Sequence, residues 1–179
     1  MRAFRTFAAL AVILSLASCA REERPAPPAA YGRRPAPPPS RQPAVSEASF
    51  VAENGSIDLF AIRSSELALQ RSSSARVREF AQRMIADHKG TSAQLSLEGR
   101  RLNLLPSATL RPREQTMLDS LQASGRFDAE YVRDQRIVHQ RAVAIDSAYA
   151  ANGRSPTLRP VAAAALPTEQ RHLRLLGYL

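Results

Sequence analysis

From Ser46 to the C-terminus the apolar residues recur at three- and four-residue spacing, and no stretch alternates with the period of two that a half-buried strand needs. A chain patterned in this way can bury its apolar stripes only by packing helix on helix. Ser46 is placed to cap a first helix whose Phe50, Ile57, Ala61 and Ala68 share a face, widened by Leu59, Ile62 and Leu69. Ser72-Ser73-Ser74 ends that helix. A second is expected over about residues 75–101, with Val77, Phe80, Ala81, Met84, His88 and Leu95 on one side, and Gly99 weakens its last turn. Leu104-Leu105-Pro106 opens a connection, Pro112 suits the first turn of a short helix reaching about Ala123, and Ser124-Gly125 breaks the chain again. A third long helix is expected over about residues 127–151, with Tyr131, Val132, Gln135, Val138, His139, Ala142, Val143 and Tyr149 inward. Asn152-Gly153 predicts a left-handed C-cap for it. The last element starts near Ser155-Pro156, and Pro160 and Pro167 are expected to break it into pieces, because proline lacks a backbone N–H and crowds the preceding turn.

Four helical elements of about 25 residues joined mostly by short loops make an antiparallel four-helix bundle the natural solution. The expected fold is therefore all-α, with one short extra helix and a Pro-broken fourth helix. The chain has no Trp, six Phe and four Tyr, so its core must lean on Leu, Ile, Val and Ala.

The segment before the bundle cannot pack a core. Residues 20–45 hold eight of the thirteen prolines, interleaved with Ala and Arg and nearly free of large apolar side chains. In polyproline II geometry, at about 3.1 Å per residue, the segment reaches about 80 Å as a semi-rigid spacer. Ahead of it, Arg2 and Arg5 and the apolar run Phe7 to Leu16 read as an export signal. This run is too short to span a bilayer permanently. Leu16-Ala17-Ser18-Cys19 then resembles the lipobox of bacterial lipoproteins, in which the Cys19 thiol is lipidated and becomes the new N-terminus. Cys19 is the only cysteine, so no internal disulfide explains it, and a lipid-acceptor role does. The domain reading is a signal peptide over 1–18, a lipidated Cys19 with a Pro/Arg-rich tether over 19–45, and a helical bundle over 46–179. Ala20 is not the Asp that holds many lipoproteins at the inner membrane, which points to the outer membrane, facing the periplasm.

The formal charge of +9 divides as +2 in residues 1–19, +3 in 20–45 and +4 beyond, a mild and dispersed excess. Such a charge serves solubility, with membrane lipid through Cys19 and an envelope protein or polyanion as partners and no nucleic acid. Covalent catalysis finds no support: Cys19 is used by the anchor, no Gly-rich phosphate loop precedes a helix, and no Ser stands in a nucleophile elbow. No catalytic residue is assigned.

Several ordered stretches point to a family. They are Asn54-Gly55-Ser56; Ser64-Ser65-Glu66-Leu67-Ala68-Leu69; Val77-Arg78-Glu79-Phe80-Ala81-Gln82-Arg83-Met84-Ile85-Ala86-Asp87-His88; Leu121 to Asp128 with Tyr131 and His139; and Leu166-Pro167 with His172-Leu173. In this order, over about residues 48–176, they resemble the exported bacterial domain-of-unknown-function family DUF4142. The resemblance implies a ferritin-like bundle and an envelope location, and no activity. Members often carry Glu where this chain has Ala61, so the resemblance implies an inward carboxylate that is missing here and puts an inherited carboxylate-dependent metal site in doubt.

The chain has three histidines, one on each of three long helices: His88, His139 and His172. His88 and His139 both lie about 20 Å along their helices, near mid-bundle, and Ala61 occupies a comparable level. In an antiparallel bundle the histidines could converge on one layer. Two readings follow. In the first, which needs no cofactor, they form a buried polar layer with Gln135, Asp146 or backbone carbonyls that fixes helix register, and the protein is a non-enzymatic binding or structural module. In the second, His88, His139 and His172 hold a transition metal, zinc, iron or copper, in a metal- or oxidant-handling ferritin-like protein. A di-iron site takes Glu-x-x-His on two helices. His88 follows Met84, Ile85 and Ala86, and His139 follows Gln135, Arg136 and Ile137, so no Glu-x-x-His motif is expected and the first reading is preferred. Asp87 projects about 100° away from His88 around the helix, Glu66 is assigned to a solvated face or an edge salt bridge, and Asp128 to the cap of the third helix.

Overall fold

The computed structural model describes residues 45–179, which carry five α-helices and no strand. The leader, Cys19 and the proline-rich tether lie outside the described residues. The helices are α1 (Glu47–Arg71), α2 (Ala75–Arg100), α3 (Pro112–Ala123), α4 (Phe127–Asn152) and α5 (Leu158–Leu175), and a short 3-10 turn, Leu176–Tyr178, follows. None of the described helices is long and apolar enough to cross a membrane.

The local signals act as their chemistry requires. The Ser46 hydroxyl accepts the Ser49 N–H and caps α1, Ser74 does the same for α2 through Val77, and Pro112 opens α3 where its missing N–H costs nothing. Three expectations need correction. Pro160 and Pro167 do not break the last helix: α5 is continuous over both. Pro160 stands in the first turn, where N–H groups have no intrahelical acceptor, and the packing of α5 on its neighbours outweighs the one bond that Pro167 forfeits. Gly153 ends α4 in an extended conformation, not a left-handed one, with its N–H on the Tyr149 carbonyl. Glycine is required there by close approach, because a Cβ would meet the Tyr149 ring at 2.6 Å. Asp128 makes no capping hydrogen bond, and its Oδ1 is buried without a partner.

Neighbouring long helices run antiparallel. Asn54 at the start of α1 bonds Asp146 near the end of α4, whereas Ser65 farther along α1 bonds Tyr131 near the start of α4. α1 packs on α2 and α4, α5 closes the ring against α4 and α2, and α3 lies outside across α1 and α4. One apolar cluster, including Phe80, Met84, Phe127 and Tyr131, fills one end of the bundle; a second, including Phe50, Leu95, Tyr149 and Leu158, fills the other. A third beneath α3 joins Ile57, Phe60, Leu118 and Val138. Glu114 ties α3 down: it is fully buried, accepts from the Ser56 hydroxyl at 2.9 Å and pairs with Arg141 at 2.5 Å.

Gly99 fixes how the chain leaves α2. Its carbonyl accepts from both Leu102 and Leu104, and a Cβ on it would stand 2.2 Å from the Leu104 carbonyl oxygen. Gly99→Ala must therefore displace backbone, not a flexible side chain. We expect it to lower the unfolding free energy by about 1–3 kcal/mol. An unchanged urea midpoint would show that the 101–111 connection yields freely.

Candidate metal centre

Between the two end clusters the interior turns polar. His88 of α2, His139 of α4 and His172 of α5 meet there, all fully buried. Their ring centroids form a near-equilateral triangle with sides of 5.0, 5.2 and 5.3 Å. His139 is the hub: its Nε2 lies 3.2 Å from His88 Nε2 and 3.0 Å from His172 Nδ1. The equal depth of these residues in antiparallel helices brings them to one level, as the spacing predicts.

Each ring has its other nitrogen committed to an acceptor. His88 Nδ1–H donates to Asp58 Oδ1 at 2.8 Å, and Thr91 Oγ1 donates to the same oxygen at 2.8 Å. His139 Nδ1–H donates to the Gln135 carbonyl one turn back at 2.6 Å. His172 Nε2–H donates to Asp87 Oδ2 at 2.8 Å, an oxygen also held by Arg171 at 3.0 Å. A neutral imidazole carries one hydrogen, and these acceptors take it on the outward side of all three rings. With all three rings neutral, the inward nitrogens are lone pairs pointing at one another.

A fourth group completes the set. Glu169 is 3% exposed, its Oε2 has no hydrogen-bond partner, and that oxygen lies 3.7 Å from His139 Nε2. One donor atom from each of His88, His139, Glu169 and His172 falls within 4.8 Å of all the others. Glu169 and His172 stand three residues apart in Glu169-Gln170-Arg171-His172, so one Glu-x-x-His motif is present after all, on α5. Ala61 is fully buried and brings no carboxylate. The acidic groups come instead from Asp58, three residues earlier on α1, and from Glu169. The absence of Glu at position 61 therefore does not leave the interior without a carboxylate.

The electrostatics suit a cation. Burial holds His139 well below the ordinary imidazole range, aided by the proximity of the other two rings, and burial brings His172 down to about 4. Burial opposes charge on His88 too, but the Asp58 hydrogen bond and the Glu169 carboxylate outweigh it and raise its pKa. Burial pushes Glu169 up to about 7, and burial with the Glu169 charge pushes Asp146 up to about 8. Burial also opposes ionisation of Asp87, yet the His172 and Arg171 hydrogen bonds leave its pKa lowered.

Other expectations come out unevenly. The histidines do form a buried polar layer, but its partners are Asp58, Asp87 and the Gln135 carbonyl. The Gln135 amide instead donates to Ser64, and Asp146 accepts from Asn54. Asp87 does turn away from His88 and serves His172 across the α2–α5 interface. Glu66 is exposed.

A fully buried histidine layer in an antiparallel bundle sets the context for likeness to known proteins. The model of the Domain of unknown function (DUF4142) matches residues 33–178. The chain belongs to the DUF4142 family. No curated protein is significantly similar to it. Among solved structures, CopM in the Cu(II)-bound form superposes on this DUF4142 chain with a TM-score of 0.64 at 19% identity, covering 74% of this chain and 94% of CopM. CopM in the Cu(I)-bound form gives 0.63 at 18%, with the same coverage. A DUF305 fragment from Deinococcus radiodurans gives 0.64 at 19%, covering 77% of this chain and 98% of the fragment. Identities this low establish a shared helical fold and nothing about ligands.

Proposed function

We propose that this DUF4142 protein is a non-enzymatic metal-binding module of the cell envelope that holds one divalent transition ion on His88, His139, His172 and Glu169. The observation that carries this reading is the inward convergence of three imidazole lone pairs and an unpartnered buried carboxylate oxygen, with every outward nitrogen already occupied. Four ligands bonded at about 2.0–2.1 Å to a tetrahedral ion stand about 3.3 Å apart, and the contacts at His139 of 3.0, 3.2 and 3.7 Å bracket that spacing. Asp58, Asp87 and the Gln135 carbonyl orient the rings as the outer partners of metal-bound histidines do. Imidazole with carboxylate suits Cu(II) and Zn(II) best among abundant first-row ions. CopM is described in Cu(II)-, Cu(I)- and Ag-bound forms, so a bundle of this fold houses metal ions in that protein.

Four protein ligands leave no position for substrate, which favours holding an ion over transforming a molecule with it. Lipidation at Cys19, with the tether and an outer-membrane address facing the periplasm, would place the site where it meets ions entering the cell. The test is native mass spectrometry of metal-stripped full chain offered Zn(II), Cu(II), Fe(II) and Mn(II) in equal amounts. We expect one ion per chain, Cu(II) or Zn(II), and none in a folded His139→Ala protein. A parent that stays metal-free would leave the polar layer as the sole role of the histidines.

A further inference from the structure

The histidines are fully buried, and a cavity borders the centre at Glu169 and Asp58. A space of about 20 Å³ lies among α1, α2, α4 and α5; Asn54, Asp58, Thr91, Asp146 and Glu169 form one half of its lining, and apolar side chains such as Phe50, Leu95 and Val161 form the other. This is room for about one water molecule or one small ion. Asn54 and Thr91 are half-buried and stand toward the surface, whereas Asp58, Asp146 and Glu169 are buried. Two lining residues also belong to the histidine cluster: Asp58 holds His88, and Glu169 supplies the unpartnered carboxylate. The lining contains three acidic residues and no arginine or lysine.

We infer that this cavity is a transit subsite of oxygen donors through which the divalent cation reaches the histidines. The inference rests on the metal-binding reading above and adds the route. A hydrated cation sheds water stepwise, and the amide oxygen, hydroxyl and carboxylates along this path replace that water with ligands of the same kind. Acidic groups at such a gap raise a cation's local concentration to the extent that they are ionised. Glu169 borders both spaces, so its carboxylate passes the ion from oxygen ligands to nitrogen ligands without leaving it bare. Asp146 makes no hydrogen bond to the histidines. Its Oδ1 accepts the Asn54 amide at 2.9 Å, which fixes the carboxylate in the wall of the cavity.

Loading kinetics test the route. Metal-stripped full chain is mixed with Co(II) in a stopped-flow instrument, the ligand-field absorption of the nitrogen-bound ion is followed, and release to a chelator is measured separately. Asp146→Asn takes an acidic group out of the wall at constant shape, and Ala165→Leu fills the cavity from α5. Both variants are expected to reach the parent's stoichiometry and affinity, with loading slowed about tenfold or more, the scale on which local fields alter association rates. Release should slow by the same factor, because a barrier on a route acts in both directions. Parent-like rates in both variants overturn the route while leaving the centre intact, as does a weaker affinity with unchanged loading. A parent chain that binds no Co(II) overturns the centre itself, and the route with it.

Discussion

Metal addition is expected to raise the unfolding free energy of this protein by about 4 kcal/mol when the free ion is a thousandfold above its dissociation constant. For a helical domain of this size that corresponds to a rise in Tm of about 10–15 °C. The gain is large because the metal-free centre is poorly satisfied: Glu169 Oε2 is buried without a partner, and three inward nitrogens compete for what hydrogen the cluster holds. The ion answers all four at once. His139→Ala should abolish the shift, since His139 Nε2 is the atom to which His88, His172 and Glu169 all stand closest. Asp87→Asn should keep about one to two thirds of it, losing about 10–100-fold in affinity, because within the cluster Asp87 touches only the far nitrogen of His172. Thermal melts with excess ion and with excess chelator separate these cases. Equal metal-induced shifts in the parent and His139→Ala proteins would remove the centre from these residues.

Much of the scaffold was legible because its punctuation is local. Ser46, the triple serine, Pro112 and Ser124-Gly125 each act within one turn of the backbone, and the helices begin and end beside them. The meeting of the histidines was legible for a related reason: depth along antiparallel helices follows from counting residues. Their partners were not. Whether Asp58 or Ala61 faces His88, and whether Asp87 serves its neighbour or a residue across the interface, depends on the rotation of each helix about its axis. Packing sets that rotation, through contacts such as Phe80 against His172 and Tyr131. Glu169 is an intermediate case: its three-residue spacing from His172 is written in the sequence, but a single such motif marks a shared face and becomes a ligand set only when two more helices face it. The continuity of α5 through Pro167 was hidden because a proline's local penalty of about 3 kcal/mol is visible in sequence, and the tertiary burial that offsets it is not.

The metal-induced stabilisation should depend steeply on pH, being small at pH 5 and largest near pH 8. The signs follow from groups pulling in two directions. His139 and His172 have folded pKa values below the ordinary 6.5, so their contribution is present above 6.5 and is lost as pH falls, for His172 toward about 4. Glu169 and Asp146 are raised from 4.5 and 3.8 to about 7 and about 8, so their contribution is present below the ordinary values and is lost as pH rises through the raised ones. His88 is raised as well, and its share is likewise lost on the alkaline side. From about pH 4.5 to 6.5 the two sets oppose each other. Above that window only the second set still titrates, so the metal-free protein weakens toward pH 8 as negative charge accumulates in its interior. An ion reverses this: it requires Glu169 ionised and the His88 inward nitrogen free, and it displaces the protons they hold. Each proton released contributes about 1.4 kcal/mol of affinity per pH unit through the window in which it titrates. Melts in ion and in chelator from pH 5 to 8.5 should diverge steadily, and calorimetry in buffers of different ionisation enthalpy should register one to two protons released near pH 7. A metal shift of constant size across that range would mean that the ion binds groups already deprotonated, and therefore not this cluster.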